Sequence, residues 1–261
     1  MSHEGHHSVV VPAPGPEFQP HTVAHHFDTP VQEFQAAKLG FWLFLATEIL
    51  LFGGLFAAYF YFHEAYPETF RVGGHQLDWR LGAINTSVLL LSSWTMAMGV
   101  RSAQTSQKQK TLIYCGLTVL GAMIFMVIKF FEYKAKNEHG LIVFSELFSL
   151  YDEANGQIPW FKDGAEHLVD GVMTRYPLSM VDAAGIPLDH GHMFFAIYLT
   201  MTGIHGLHVV IGACLILWVM KGTAKGRFHA GYYLPVDLVG LYWHLVDLIW
   251  IFLFPLLYLV P

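Results

Sequence analysis

Five stretches of this 261-residue chain are apolar and long enough to cross a bilayer, and nothing constrains its fold more. They run from Lys38 to about Phe62, Leu81 to Val100, Thr111 to about Tyr133, Gly191 to Met220, and Asp237 to Val260. About twenty residues at ~1.5 Å rise cover the ~30 Å hydrocarbon core. Lipid offers the backbone no hydrogen bonds, so spans of this length have to be helices. The expectation is an all-α polytopic membrane protein with five transmembrane helices in a bundle. Composition agrees: 54% of residues are hydrophobic and 13% charged, against about 25% charged in a soluble domain.

The intervening segments divide the chain into a His/Pro-rich arm, residues 1–35, and a transmembrane domain, residues 36–261. The arm holds His3, His6, His7, His21, His25 and His26 among several prolines. It has little apolar surface to bury and is expected to be extended or disordered unless a partner holds it. No cleavable signal peptide is visible, so the first span is expected to direct insertion. Residues 134–190 form a long, acidic, extramembrane loop between the third and fourth spans, expected to fold as a small cap. Lysine and arginine settle the orientation. Lys38, Arg101, Lys108, Lys110, Lys221, Lys225 and Arg227 gather on one face, which should be cytoplasmic. The N-terminus is then cytoplasmic and the loop periplasmic. A net charge of −6 gives no basic surface for nucleic acid. Cys115 and Cys214 both lie in apolar spans and imply no disulfide.

Ionisable side chains inside the spans carry the functional information, because each costs several kcal/mol (about 2.5–3.5 on insertion scales) unless it faces protein or water. They are Glu48, Glu132, His205, His208, His244 and Asp247. His244 and Asp247 are three apart and share a helix face. Lys129 lies near the end of the third span and is expected to snorkel to the interface. Three chemistries compete for this set. A metal or haem site would use histidines and carboxylates on neighbouring helices, but His205 and His208 are three apart on one helix and no Glu-x-x-His pair occurs in the spans. A proton or substrate path would use Glu48 and Asp247. A structural role would have these groups bond one another or anchor lipid headgroups, and the residues favour it modestly.

Several segments together resemble subunit III of the haem-copper terminal oxidases, in its five-helix form. They are Trp42-Leu43-Phe44 with Thr47-Glu48-Ile49-Leu50-Leu51-Phe52, Asn85-Thr86-Ser87-Val88-Leu89-Leu90, Glu132-Tyr133, Thr202 to Val209 (TGIHGLHV), and Tyr242 to Trp250 (YWHLVDLIW). Their order over residues 38–260 carries the resemblance. It implies a subunit with no catalytic residue, metal or redox cofactor of its own, set in a bacterial inner membrane against oxidase subunit I, with subunit II nearby. Haem and copper would sit in those partners, which reduce oxygen to water. This chain would stabilise them, bind phospholipid and support proton uptake. The resemblance implies lipid-binding or buried polar roles for Glu48, His205, His208, Arg227, His229, Asp237, His244 and Asp247. An aa3-type cytochrome c oxidase is the first expectation and a quinol oxidase the alternative; an independent intramembrane metalloprotein or transporter is the remote one. Three departures stand out: five spans rather than seven, a lysine at 129, and the long loop, whose acidic residues 138–189 suit a periplasmic electron carrier or another respiratory complex.

Overall fold

The computed structural model of the chain describes residues 10–11, 19–25, 27–138, 164–169, 172–177 and 191–259. In chain order these form strands β1 (Val10–Val11) and β2 (His21–Thr22), helices α1 (Pro30–Ala65), α2 (Pro67–His75), α3 (Trp79–Gln104) and α4 (Lys108–Glu138), strands β3 (Gly164–Val169) and β4 (Val172–Pro177), and helices α5 (Gly191–Ala224) and α6 (Leu234–Tyr258). Five of these helices, all except α2, are long and apolar enough to cross a membrane. The expected spans are all present.

Their ends are set by local chemistry that hydropathy does not report. Helix α1 begins at Pro30, ahead of the apolar run, because Thr29 and Gln32 cap it. Gln32 N–H donates to Thr29 Oγ1 at 3.2 Å, and Asp28 N–H donates to Gln32 Oε1 at 3.0 Å. Proline at the first helical position forfeits no bond there. Helix α2, only 9 residues long, also starts on a proline and was not expected from its polar, glycine-containing sequence. It is held by Phe70, which is fully buried and meets Tyr59 and Phe194 edge to face at 5.2 and 5.4 Å.

Part of the long acidic loop is described. Strands β3 and β4 pair antiparallel, Glu166 opposite Arg175 and His167 opposite Thr174. The remainder of the expected cap lies outside the described residues. In the arm, β1 pairs antiparallel with β2, Val10 opposite Thr22.

The chain divides into two compact units, and each long helix contributes a segment to both. The first comprises Met1–Leu51, Ser87–Ile124 and Leu207–Ile249, counting described residues. Its core is built around Trp243, fully buried, whose indole N–H donates to Ser92 Oγ at 3.1 Å. Glycine makes room for that ring: a Cβ on Gly212 would stand 2.8 Å from the indole. Gly121 gives Ser92 the same clearance, and Gly240 opens α6 to Val100. Small residues at such crossings let helix backbones approach, which is how membrane helices gain dispersion energy without a hydrophobic drive.

Residues 19–25 of the arm also belong to this unit and are seated on the α5–α6 connector. Gln19 N–H donates to Gly226 O at 2.8 Å, and its carbonyl lies 2.9 Å from His229 Nε2. His21 stacks on Tyr232 at 3.6 Å with the rings 6° from parallel, and its Nε2 lies 3.0 Å from Glu33. Burial pushes the Tyr232 phenol above its ordinary range, so a neutral ring faces the histidine. Residues 19–25 are thus seated on their own chain, while the arm's last residues, from Pro30, already belong to α1.

The second unit comprises Phe52–Thr86, Phe125–Gly206 and Trp250–Pro261, again counting described residues. Tyr59 donates to the Leu256 carbonyl at 2.8 Å, and Trp250 donates to Thr86 Oγ1 at 3.0 Å. Phe125 meets Trp250 edge to face at 4.9 Å.

The helix crossings are therefore sensitive to added volume at particular glycines. Gly212→Leu should lower the thermal unfolding midpoint of the detergent-solubilised protein, with a cost of about 1–3 kcal/mol for overpacking. Gly53→Leu, where a Cβ meets nothing within 4 Å, should leave the midpoint unchanged. Equal midpoints for the two variants would refute the packing argument.

Candidate functional site

Glu48 on α1 and His208 on α5 are joined directly. Glu48 Oε2 lies 2.8 Å from His208 Nε2, with the side chains 16% and 13% exposed. Neither side chain is sealed in the interior, so the pair forms a polar spot at the edge of the first unit. Tyr242 of α6 closes one side: its hydroxyl donates to the His208 carbonyl at 3.3 Å and its ring lies 6.2 Å from Phe44. On the same face of α1 Phe44 and Leu51 are exposed, a surface fit for lipid or another membrane helix. Only 11% of the most apolar window of α1 is buried, against 56% for α6. Helix α1 is thus a lightly covered element, and α6 is the core element.

The other sequence candidates separate into distinct environments. Asp237, in the first turn of α6, pairs with Lys38 of α1 at 3.0 Å. Besides its position near the helix N-terminus, it holds two helices together. His229 is fully buried, and its ring is used within the chain: Nδ1 accepts from Gly231 N–H at 3.1 Å while Nε2 faces Gln19 O. Arg227, two residues before, is exposed. His205 is fully buried against the rings of Phe125 and Trp250, at 5.6 and 5.0 Å. His244 and Asp247 share a face, as expected, but differ in exposure. His244 is half-buried, with Nδ1 2.7 Å from Ser93 Oγ; Asp247 is fully buried. Among the described residues no three His, Cys, Asp or Glu side chains converge as metal ligands.

The structure corrects one expectation outright. Lys129 does not snorkel; it is 4% exposed and points into the second unit. Its ammonium donates to Glu132 Oε2 at 2.9 Å and to the phenol oxygens of Tyr258 and Tyr198 at 2.7 and 3.4 Å. Both phenols in turn donate to Glu132 Oε1, at 2.6 and 2.9 Å. The Trp250 ring lies 4.7 Å from the ammonium and adds a cation–π face. A buried cation is tolerable only with its counter-ion and its donors satisfied, and this ring of bonds supplies both. The i,i+3 spacing of Lys129 and Glu132 was a readable signal; the two tyrosines, 69 and 129 residues from the lysine, were not.

The family model for cytochrome c oxidase subunit III matches residues 185–260, which include α5, the connector and α6. Cytochrome c oxidase subunit 3 of Synechocystis sp. is 27% identical over 219 residues, covering 84% of this chain and 73% of that protein. A probable quinol oxidase subunit 3 of Staphylococcus saprophyticus is 24% identical and covers 91% of this chain and 95% of its own length. The match to a haem-copper oxidase subunit I+III of Aeropyrum pernix, 26% identical, covers 90% of this chain but only 24% of that longer protein.

Five helices long and apolar enough to cross a membrane make this a multi-pass membrane protein, and the matches make it similar to subunit III of the haem-copper oxidases.

The Lys129 ring makes a sharp prediction. Lys129→Met alone should destabilise the protein by about 3–5 kcal/mol, because it strands a buried carboxylate. Adding Glu132→Gln should recover much of that loss, read as the unfolding midpoint of the solubilised protein. A double variant as unstable as the single one would show that the pair is not coupled.

Proposed function

We propose that this chain is the non-catalytic subunit III of an aa3-type cytochrome c oxidase in a bacterial inner membrane. In this reading it stabilises the catalytic subunit, retains phospholipid and supports proton uptake while the complex reduces oxygen to water. Its N-terminus lies in the cytoplasm and residues 134–190 lie in the periplasm. Haem and copper belong to the partner subunits I and II, and this chain carries no redox centre. The observation that supports the reading most directly is the extent of the match to subunit 3 of a cytochrome c oxidase, which covers 84% of this chain. The acidic residues 138–189 fit a basic electron carrier or a neighbouring respiratory complex.

The Glu48–His208 pair is where this reading places a phospholipid. An amphiphile needs an apolar wall for its chains and a polar foothold for its glycerol and phosphate. The exposed Phe44 and Leu51 beside a half-open carboxylate–imidazole pair supply both. Arg227, exposed near the basic end of α5, suits a headgroup at the membrane surface. His205, His229, Asp237, His244 and Asp247 act in this reading as buried or bridging polar groups that hold the helices in register.

A quinol oxidase subunit is the second reading, favoured by the Staphylococcus relative that matches along 91% of this chain. Purification through a tag on this chain separates the two. The first reading expects haem and copper to arrive with a large partner and the complex to oxidise reduced cytochrome c. Oxidation of a quinol instead would install the second reading. Metal staying with the chain after the partner is stripped away would overturn both.

Two variants test the site and the loop. Glu48→Gln should weaken retention of phospholipid roughly tenfold, the effect of losing one charge-assisted bond worth about 1.5 kcal/mol, while initial turnover stays near wild type. An immediate, complete loss of turnover in a fully lipidated complex would count against that role. Deleting residues 154–182 should leave the chain inserted and assembled while altering a periplasmic contact; failure of insertion would contradict the assignment.

A further inference from the structure

Asp247 is a carboxyl group in the middle of a membrane-crossing helix, 3% exposed, with neither oxygen in hydrogen-bond geometry with a described protein group. A bare carboxylate in such a place costs several kcal/mol, so a carboxyl that persists there holds a proton, a water molecule, or both. The polar side chain beside it is Ser93 of α3. Ser93 is engaged on its other side, its Oγ 2.7 Å from His244 Nδ1. A serine hydroxyl has one proton and two lone pairs. Donating the proton to Nδ1 leaves the lone pairs to accept from a carboxylic acid, directly or through one water. It also fixes the His244 tautomer with its remaining proton on Nε2. His244 is half-buried, so that proton sits toward the edge of the unit while Asp247 lies inside it.

We propose that Asp247, Ser93 and His244 form an intramembrane proton site, with the Asp247 carboxylic acid and a bridging water as its inner station and the His244 ring as its outer one. One proton moves and no electrons do. The acid passes its proton through the water to Ser93 Oγ as Ser93 passes its own to His244 Nδ1. This leaves a carboxylate and an imidazolium, and the imidazolium releases its Nε2 proton to water at the edge. The reverse sequence restores the acid, and the bridging water, with two protons of its own, lets protons exchange places. The proposal deepens the functional reading above by naming where this chain can hold a proton.

Infrared spectroscopy of the intact complex, in ordinary and heavy water, tests the site without any turnover. The wild type should show the C=O band of a protonated carboxyl that shifts in heavy water, is absent from Asp247→Asn and persists in Glu48→Gln. Ser93→Ala and His244→Gln should keep the band but slow its shift about tenfold or more. Carbon-13 labelling of aspartate carboxyls secures the assignment should Asp247→Asn fail to accumulate. The absence of any acid band from Asp247 would overturn the site, and exchange as fast in both relay variants as in wild type would overturn the relay. Either result leaves the oxidase reading standing. A preparation without haem and copper would remove that reading while leaving the band measurable.

Discussion

Hydrocarbon neither donates nor accepts a hydrogen bond, and the interior of this protein is arranged around that refusal. Its hydroxyls are the cheapest to satisfy, because each can bond back to its own helix. Thr86 bonds to the Gly82 carbonyl, Ser102 to Met98, Thr118 to Tyr114 and Thr223 to Val219, at 2.8 to 3.0 Å. Indole and phenol groups reach one helix further, as Trp243 does to Ser92 and Tyr59 to Leu256. Full charges need an opposite charge. Lys38 with Asp237 and Lys129 with Glu132 are the two cases where a lysine and a carboxylate meet among the described residues.

That hierarchy explains what could be read from the sequence. Existence, type and order of the five long helices follow from hydropathy alone, since lipid permits one local structure for such a run. Their ends do not, because a helix ends where its caps are. The Thr29-Pro30 start of α1 lies ahead of the apolar stretch, and α2 owes its place to the burial of Phe70 more than to pattern. The candidate polar residues were legible because charge is rare in such a chain, yet their partners were not. Glu48 meets a histidine 160 residues away, and no local spacing announces it. Lys129 was misread for the same reason: snorkelling is the cheapest outcome for a lysine considered with its own helix, and two distant phenols change the balance. Among the histidines, His21 stacks on Tyr232 and His229 bonds to Gln19 and Gly231, all within the first unit.

Burial is unevenly distributed among the long helices. Helix α6, with its tryptophans inside, is already at home within the chain, whereas α1 exposes most of its apolar surface. The polar spot at Glu48 and His208 lies on that lightly covered helix, so whatever covers α1 also meets the pair.

The seat of the N-terminal arm carries a consequence for the order in which the protein is made. Gln19 bonds to His229 across 210 residues of chain. The arm leaves the ribosome ahead of all five spans, yet its docking surface is translated after four of them. Docking of residues 19–25 is therefore a late event in biogenesis, and it reports that the α5–α6 connector has reached the same side of the membrane as the arm. A chain inserted with one span too few would bring the connector to the opposite face and leave the arm with nothing to dock on. Protection of residues 19–25 is thus a record of correct threading.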